Sequence, residues 1–141
     1  MYETNGINGK MYGNVFAFPV RVYYEDTDAG GVVYYANYLK FAERARTEFI
    51  RYLGQNQIDE LEKNKHAFVV RKVEAEYLRP AVLDDMLTVT CKAEEKSGAT
   101  ITVCQEILRG DEVLVKIKVM AVYVDIEKKR PLRLPKFLAE I

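Results

Sequence analysis

The sequence has no tryptophan, a single histidine at position 66 and two cysteines, Cys91 and Cys104. Two cysteines cannot build the disulfide framework of a small secreted scaffold, and C-x12-C without histidine or further cysteine companions is not a zinc spacing. A lone histidine leaves little on which to build a Ser-His-Asp or Cys-His mechanism, and His66, at an expected strand start, reads as structural. Net charge is lacking too. The 21 basic residues balance 21 acidic ones, so there is no basic excess of the kind a nucleic-acid footprint needs. No apolar run approaches the ~20 residues that cross a bilayer. The opening MYETNGINGKMYGNV is polar, rich in Gly and Asn, and lacks the apolar stretch of a secretory signal. Residues 1–15 are therefore expected to form a flexible lead-in to a single domain over 16–141. A soluble protein of a reducing, cytoplasmic compartment is the expectation.

What is present is globular. Nearly half the residues are apolar, at 49%, and ten are Tyr. A chain of 141 residues can bury ~70% of its unfolded surface in one core. FPVRVYYE, residues 18–25, alternates Val20, Val22 and Tyr24 against Arg21, Tyr23 and Glu25, the period of a half-buried strand. DTDAGG, residues 26–31, is a turn, because paired glycines accept backbone angles that bulkier residues resist. From 37 to 53 the period changes. Tyr38, Phe41, Ala42, Ala45, Phe49 and Tyr52 recur at three and four, while Leu39, Ile50 and Leu53 widen the apolar face of a helix that Gly54 stops. QNQIDELEKNK carries a possible second short helix. Strands rich in β-branched and aromatic residues then run over 66–78, 86–95, 99–108 and 112–125, with turn signals at Arg79-Pro80, Ser97-Gly98 and Gly110-Asp111. One long helix and successive long strands with short connections imply an α+β domain in which an antiparallel sheet meanders around that helix.

A two-residue turn at Ser97-Gly98 would pair positions whose numbers sum to about 195 and set Cys91 opposite Cys104. Two small buried residues, or a redox or metal pair, would both fit that register.

Asp26-Thr27-Asp28 stands out for chemistry. It precedes Gly30-Gly31 and then the helix, so a carboxylate faces the free amides and positive end of that helix. A carboxylate there can attack a carbonyl or activate water while helix-end N–H groups stabilise the oxyanion. Ordinary turn chemistry accounts for the same residues. A metal ion on D-x-D is set aside, since no histidine or further carboxylate accompanies it.

VRVYYEDTDAGGVVYYANYLKFAERARTEFIRYLG, residues 20–54, resembles the signature of the YbgC-type acyl-CoA thioesterases, in the 4-hydroxybenzoyl-CoA thioesterase branch of the hotdog-fold superfamily. The likeness continues through FVVRKVEAEYLRPAVLDDML to the final PLRLPKF. The resemblance implies a hotdog fold, a curved antiparallel sheet wrapped around one long central helix. It also implies dimers that pair into tetramers, with active sites at subunit interfaces. The reaction implied is hydrolysis of an acyl-CoA to free acid and CoA, without a metal or redox cofactor. Asp28 matches the family's catalytic carboxylate, as nucleophile or as base, and Asp26 becomes structural. Where YbgC-type members have V-V-Y-H this sequence has Tyr35 in place of the histidine. The benzoyl-CoA enzymes carry an aromatic residue there, and the backbone amide at this position serves them as an oxyanion donor, which a side-chain change leaves in place.

Glu43 lies on the helix side opposite Phe41, Ala45 and Phe49, as a water-orienting group or a structural partner of Arg44, Arg46 or Thr47. For the phosphates of CoA the sequence offers Arg71-Lys72, Lys116 with Lys118, and Lys128-Lys129-Arg130, with Arg71 and Lys72 ahead. Each cluster also fits a solvated face. By resemblance, Ser97, Gly98 and Thr100 approach the nucleotide end from a neighbouring subunit. Two further readings stay open: a hotdog dehydratase, which needs a histidine this chain lacks near the helix start, and an acyl-CoA-binding or scaffold protein without turnover. A partner in cell-envelope or phospholipid metabolism follows from the resemblance alone.

Overall fold

A computed structural model describes Tyr2 and residues 9–141. Strands β1 (Lys10–Tyr12) and β2 (Val15–Arg21) lead through a loop to helix α1 (Asn37–Tyr52). A short helix α2 (Gln57–Asp59) runs on into a π-helical turn (Glu60–Asn64). There follow β3 (His66–Tyr77), β4 (Met86–Ser97), β5 (Thr100–Arg109), β6 (Glu112–Asp125), β7 (Arg130–Pro131) and α3 (Lys136–Ala139). The strands form one antiparallel sheet in the order β1-β2-β4-β5-β6-β3, with β7 added to β6. This is the expected α+β architecture.

The apolar stripe of α1 determines where the helix lies. Tyr38, Phe41, Ala42, Ala45 and Phe49 are all buried and share one core with Leu87, Val89, Cys91, Val103, Ile107, Ile117 and Val119 of the sheet. The helix ends where Gly54 takes φ +105°, a conformation only glycine adopts cheaply.

Several expectations need correction. The segment expected as lead-in contains a strand, since Lys10–Tyr12 pairs with Ala17–Val15; residues 1 and 3–8 lie outside the described residues. The strand expected over 18–25 starts earlier and stops at Arg21, because Asp26 captures the Tyr23 amide (2.8 Å) and winds Tyr24–Asp26 into a 3₁₀ turn. The strands after the helix do not all meander. β3 pairs with β6 at the far edge, and the chain crosses the end of the sheet through residues 78–85 before β4.

The cysteines are not opposite one another. The hairpin turns at Gly98-Ala99, with Ser97 facing Thr100, and a bulge between Ala93 and Glu95 moves the register again, so Cys104 faces Lys92. A one-residue slip sends side chains to opposite faces of a sheet. Cys91 is buried against Gln105 on the helix side, while the Cys104 thiol donates to Glu94 on the outer face. Burial pushes the Cys91 thiol up to about 12, and burial with the Glu94 carboxylate pushes Cys104 up to about 11. Neither is a thiolate at neutral pH, so neither is poised as a nucleophile.

Candidate active site

The loop between β2 and α1 is organised by its first aspartate. Asp26 is buried; its side chain accepts from the Tyr23 amide (2.8 Å), and its carbonyl accepts from the Tyr34 amide (3.0 Å) and from Asn37 Nδ2 (2.9 Å). Asp26 thus joins both sides of the loop and the first residue of α1, which is structural work. Beyond it Thr27 bridges Val33, the Asp28 amide donates to Val32 O (2.9 Å), and the Gly31 amide to Asp28 O (3.0 Å). The result is a tight ribbon with Asp28 to Gly31 at its tip, closed by Gly31 at φ +82°.

Asp28 is exposed at that tip. Its Oδ1 accepts from the Gly30 amide (2.8 Å), and a Cβ at position 30 would lie 3.2 Å from the same oxygen, so Gly30 lets the carboxylate fold onto the backbone. Oδ2 has no partner among the described residues. One oxygen is therefore anchored and the other is open to a ligand.

The chain leaves the ribbon at Tyr34 and enters α1 with Ala36 as its N-cap, which offers no side-chain cap. Among the described residues the amides of Tyr35 and Ala36 have no acceptor. Open amides at the positive end of a helix attract an oxyanion. The Tyr35 side chain is 60% exposed and packs against Tyr34 (centroids 5.0 Å) and Tyr77 of β3 (6.0 Å). Tyr38, one turn on, is buried, and its hydroxyl oxygen accepts from the Ala81 amide (2.9 Å). Burial pushes that phenol up, so it stays neutral.

The other expected residues lie elsewhere. Glu43 is exposed on α1 and, with Arg46, Thr47, Phe68, Val70 and Leu138, lines a cavity of about 180 Å³ between the helix and the sheet. Its charge acts on Arg46, whose guanidinium donates its hydrogen bond to Gln105 (2.9 Å). Arg71 is the extra residue of a register shift in β3, and Lys72 is spent on Glu74 (3.1 Å). Ser97, Gly98 and Thr100 form the β4–β5 turn, whose Gly98 carbonyl accepts from Leu134 (2.9 Å). Met86, at the opposite end of β4, pairs with Arg21 beside the Asp28 loop. Eleven strand steps of ~3.3 Å put the turn roughly 36 Å away along the strand. One chain therefore carries Asp28 and the Tyr35 amide on the same loop, with the Ser97–Thr100 turn at the other end of β4. Reading the sequence missed Gln105 and the segment 81–85 beneath the loop, since only three-dimensional contact marks either.

The sequence profile of the Thioesterase-like superfamily matches residues 22–141. The chain is 49% identical over 126 residues to the acyl-CoA thioesterase YbgC of Haemophilus influenzae, covering 89% of this chain and 93% of that protein. It is 46% identical over 127 residues to the acyl-CoA thioester hydrolase YbgC of Escherichia coli O157:H7, covering 89% and 94%. Among solved structures, a probable thioesterase from Bartonella henselae superimposes with a TM-score of 0.77 at 40% identity, over 87% of this chain and all of the other. With the family match spanning the Asp28 loop, α1 and strands β3 to β7, the chain belongs to the Thioesterase-like superfamily and, within it, to the YbgC-type acyl-CoA thioesterases.

Proposed function

We propose that this protein hydrolyses acyl-CoA thioesters to the free acid and CoA, with Asp28 as its catalytic carboxylate. The observation that carries the assignment is the state of that side chain: Oδ1 is held by the Gly30 amide while Oδ2 has no partner among the described residues, on the loop that also delivers the Tyr35 and Ala36 amides, equally without an acceptor there. Asp28 attacks the thioester carbonyl, expelling CoA thiolate and leaving an anhydride that water cleaves, or it takes a proton from the water that attacks. In both routes negative charge develops on the carbonyl oxygen, and the Tyr35 amide at the start of α1 stabilises it. The names of the YbgC relatives support the substrate class.

Two copies complete the site in this reading. β3 is a 12-residue edge strand with Val69, Val70, Val73 and Tyr77 all more than two-fifths exposed, and a long apolar edge is a pairing surface. Antiparallel pairing of two β3 strands about their middles sets the Tyr77 end of one, next to Tyr35, against the Phe68 end of the other. The cavity bearing Glu43 then opens toward the partner's Asp28, with Glu43 orienting water. Arg71, Lys72 and the Ser97–Thr100 turn of a neighbouring subunit would take the CoA moiety, a role that dimers pairing into tetramers allow. A cytoplasmic enzyme serving cell-envelope or phospholipid metabolism fits this reading; no helix among the described residues is long and apolar enough to span a membrane.

The test is thiol release from short, long and aromatic acyl-CoAs by wild type and Asp28→Asn. Asparagine keeps an oxygen for the Gly30 amide, so the loop should hold while turnover falls by roughly 100-fold or more. Unchanged turnover would remove Asp28 from the mechanism. Saturable acyl-CoA binding by a wild type that turns over none of the panel would make this a binding protein instead.

A further inference from the structure

Both ends of the Asp28 loop rest on one segment that belongs to neither β2 nor α1. Upstream, the Val22 amide donates to Asp85 O (2.9 Å) and the Asp84 amide to Val22 O (3.0 Å). Downstream, the Val33 amide donates to Ala81 O (2.9 Å), and Val32 bridges Val82. The Ala81 amide continues to the Tyr38 hydroxyl in the first turn of α1 (2.9 Å). Residues 81–85 are thus a floor under the loop and the helix start together.

That floor is irregular, and Asp84 sits at φ +71°, a left-handed conformation that costs a non-glycine residue energy and persists only where its surroundings hold it. The Arg21 guanidinium donates to Asp84 O (2.8 Å), and a second guanidinium holds the rest of the floor through a carboxylate. Asp85 Oδ2 accepts from the Val82 amide (2.9 Å) and from Arg109 Nη1 (2.8 Å). Arg109, the last residue of β5, also reaches Pro80 O (3.3 Å), and its Nη2 donates to Glu112 Oε1 (2.8 Å) across the β5–β6 turn. The planar fork lets one side chain grip the crossing loop and its own hairpin at once, which a point charge cannot do.

We propose that Arg109 is a positioning residue for the reaction. Through Asp85 it pins the floor to the sheet and so sets where the Asp28 carboxylate stands relative to the Tyr35 and Ala36 amides. It touches no substrate, and the inference rests on the thioesterase reading above. Its two arms differ in reach: Asp85 lies in the floor itself, whereas Glu112 closes the hairpin and meets the crossing segment only at its entrance, through Arg79 Nη1 (3.1 Å).

The experiment compares Arg109→Met, Arg109→Lys, Asp85→Ala and Glu112→Gln by steady-state thiol release and by amide hydrogen exchange over residues 26–34. Misplacing reacting groups by about 1 Å can cost on the order of 100-fold. Arg109→Met and Asp85→Ala are accordingly expected to lower kcat by roughly 10- to 100-fold with KM little changed, and to speed exchange in 26–34. Arg109→Lys should recover part of the loss, and Glu112→Gln, which keeps an oxygen for one of its two arginines, should lose far less than Asp85→Ala in both readouts. Equal losses in Glu112→Gln and Arg109→Met, or wild-type kcat and exchange in Arg109→Met, would overturn the proposal. Should Arg109→Met not fold, Asp85→Ala against Glu112→Gln carries the same contrast. If wild type releases no thiol, the proposed function fails, while hydrogen exchange still reads the clamp.

Discussion

Replacing Gln105 with leucine removes a buried polar tie between the middle of α1 and the sheet. The side chain is 1% exposed; Oε1 accepts from Arg46 (2.9 Å), and Nε2 donates to Ala42 O (3.0 Å) and Cys91 Sγ (3.2 Å). The bond from the guanidinium contributes about 1.5–3 kcal/mol and the bond to the carbonyl about 1, with the thiol contact adding little. Leucine is close in volume and returns about 1–2 kcal/mol of apolar burial. The expected net loss is therefore about 0.5–3 kcal/mol, with a midpoint of about 1.7, or about 6 °C in Tm for a chain of this size. Urea and thermal melts should be compared at one fixed protomer concentration, because association shifts both. Arg46→Met closes a double-mutant cycle: once the cation is gone, losing its acceptor costs less, so the double variant should fall short of the summed singles by about 1 kcal/mol. Gln105→Leu within about 0.5 kcal/mol of wild type, or singles that add, would refute this account of how α1 is held.

Two further outcomes are expected. Asp125 accepts from the Lys128 amide (2.8 Å), which, with smaller help from the Lys128 and His66 charges, holds its carboxyl below the ordinary value. A depressed folded pKa gives stability that is present above the unfolded value of about 3.9 and lost as pH falls through the folded one. Asp125→Asn should therefore flatten the decline of the urea midpoint below about pH 4 and leave its pH dependence above pH 6 unchanged; parallel acid limbs would contradict the assignment. Val73→Lys places a charge in the exposed edge of β3 and should convert dimers to monomers in light scattering. A wild type that is monomeric, or a variant that stays dimeric, would count against pairing through β3.

Much of the fold was legible because its signals are local. The three- and four-residue spacing from Tyr38 to Tyr52 placed α1 within a residue of its observed end, and Gly54 marked the stop. Richness in β-branched and aromatic residues, with turn signals between, placed β3 to β6 to within two residues at either end. The Asp26–Gly31 turn was readable from residue types, since only small residues accept its angles, and the motif resemblance singled out Asp28 within it. Asp26 could not be distinguished from Asp28 by spacing; burial and three bonds made one structural and left the other an open oxygen.

Pairing is where local signals end. Whether Cys91 meets Cys104 or Gln105 turned on one residue at Gly98-Ala99 and one bulge at Glu94, and a single step reverses every side chain beyond it. That β3 lies beside β6 rather than β4 depends on contacts about 40 to 60 residues apart, which no window of sequence reports. Nothing local marked Arg109 or Asp85, and only the crossing of residues 78–85 over the sheet end brings them together beneath the Asp28 loop. The sequence by itself determined which segments are helix or strand and where the tight turn before α1 falls, because propensity and turn geometry act between near neighbours. Tertiary structure alone decided register, strand order and what the loop rests on, because each is a choice among distant partners of similar local energy.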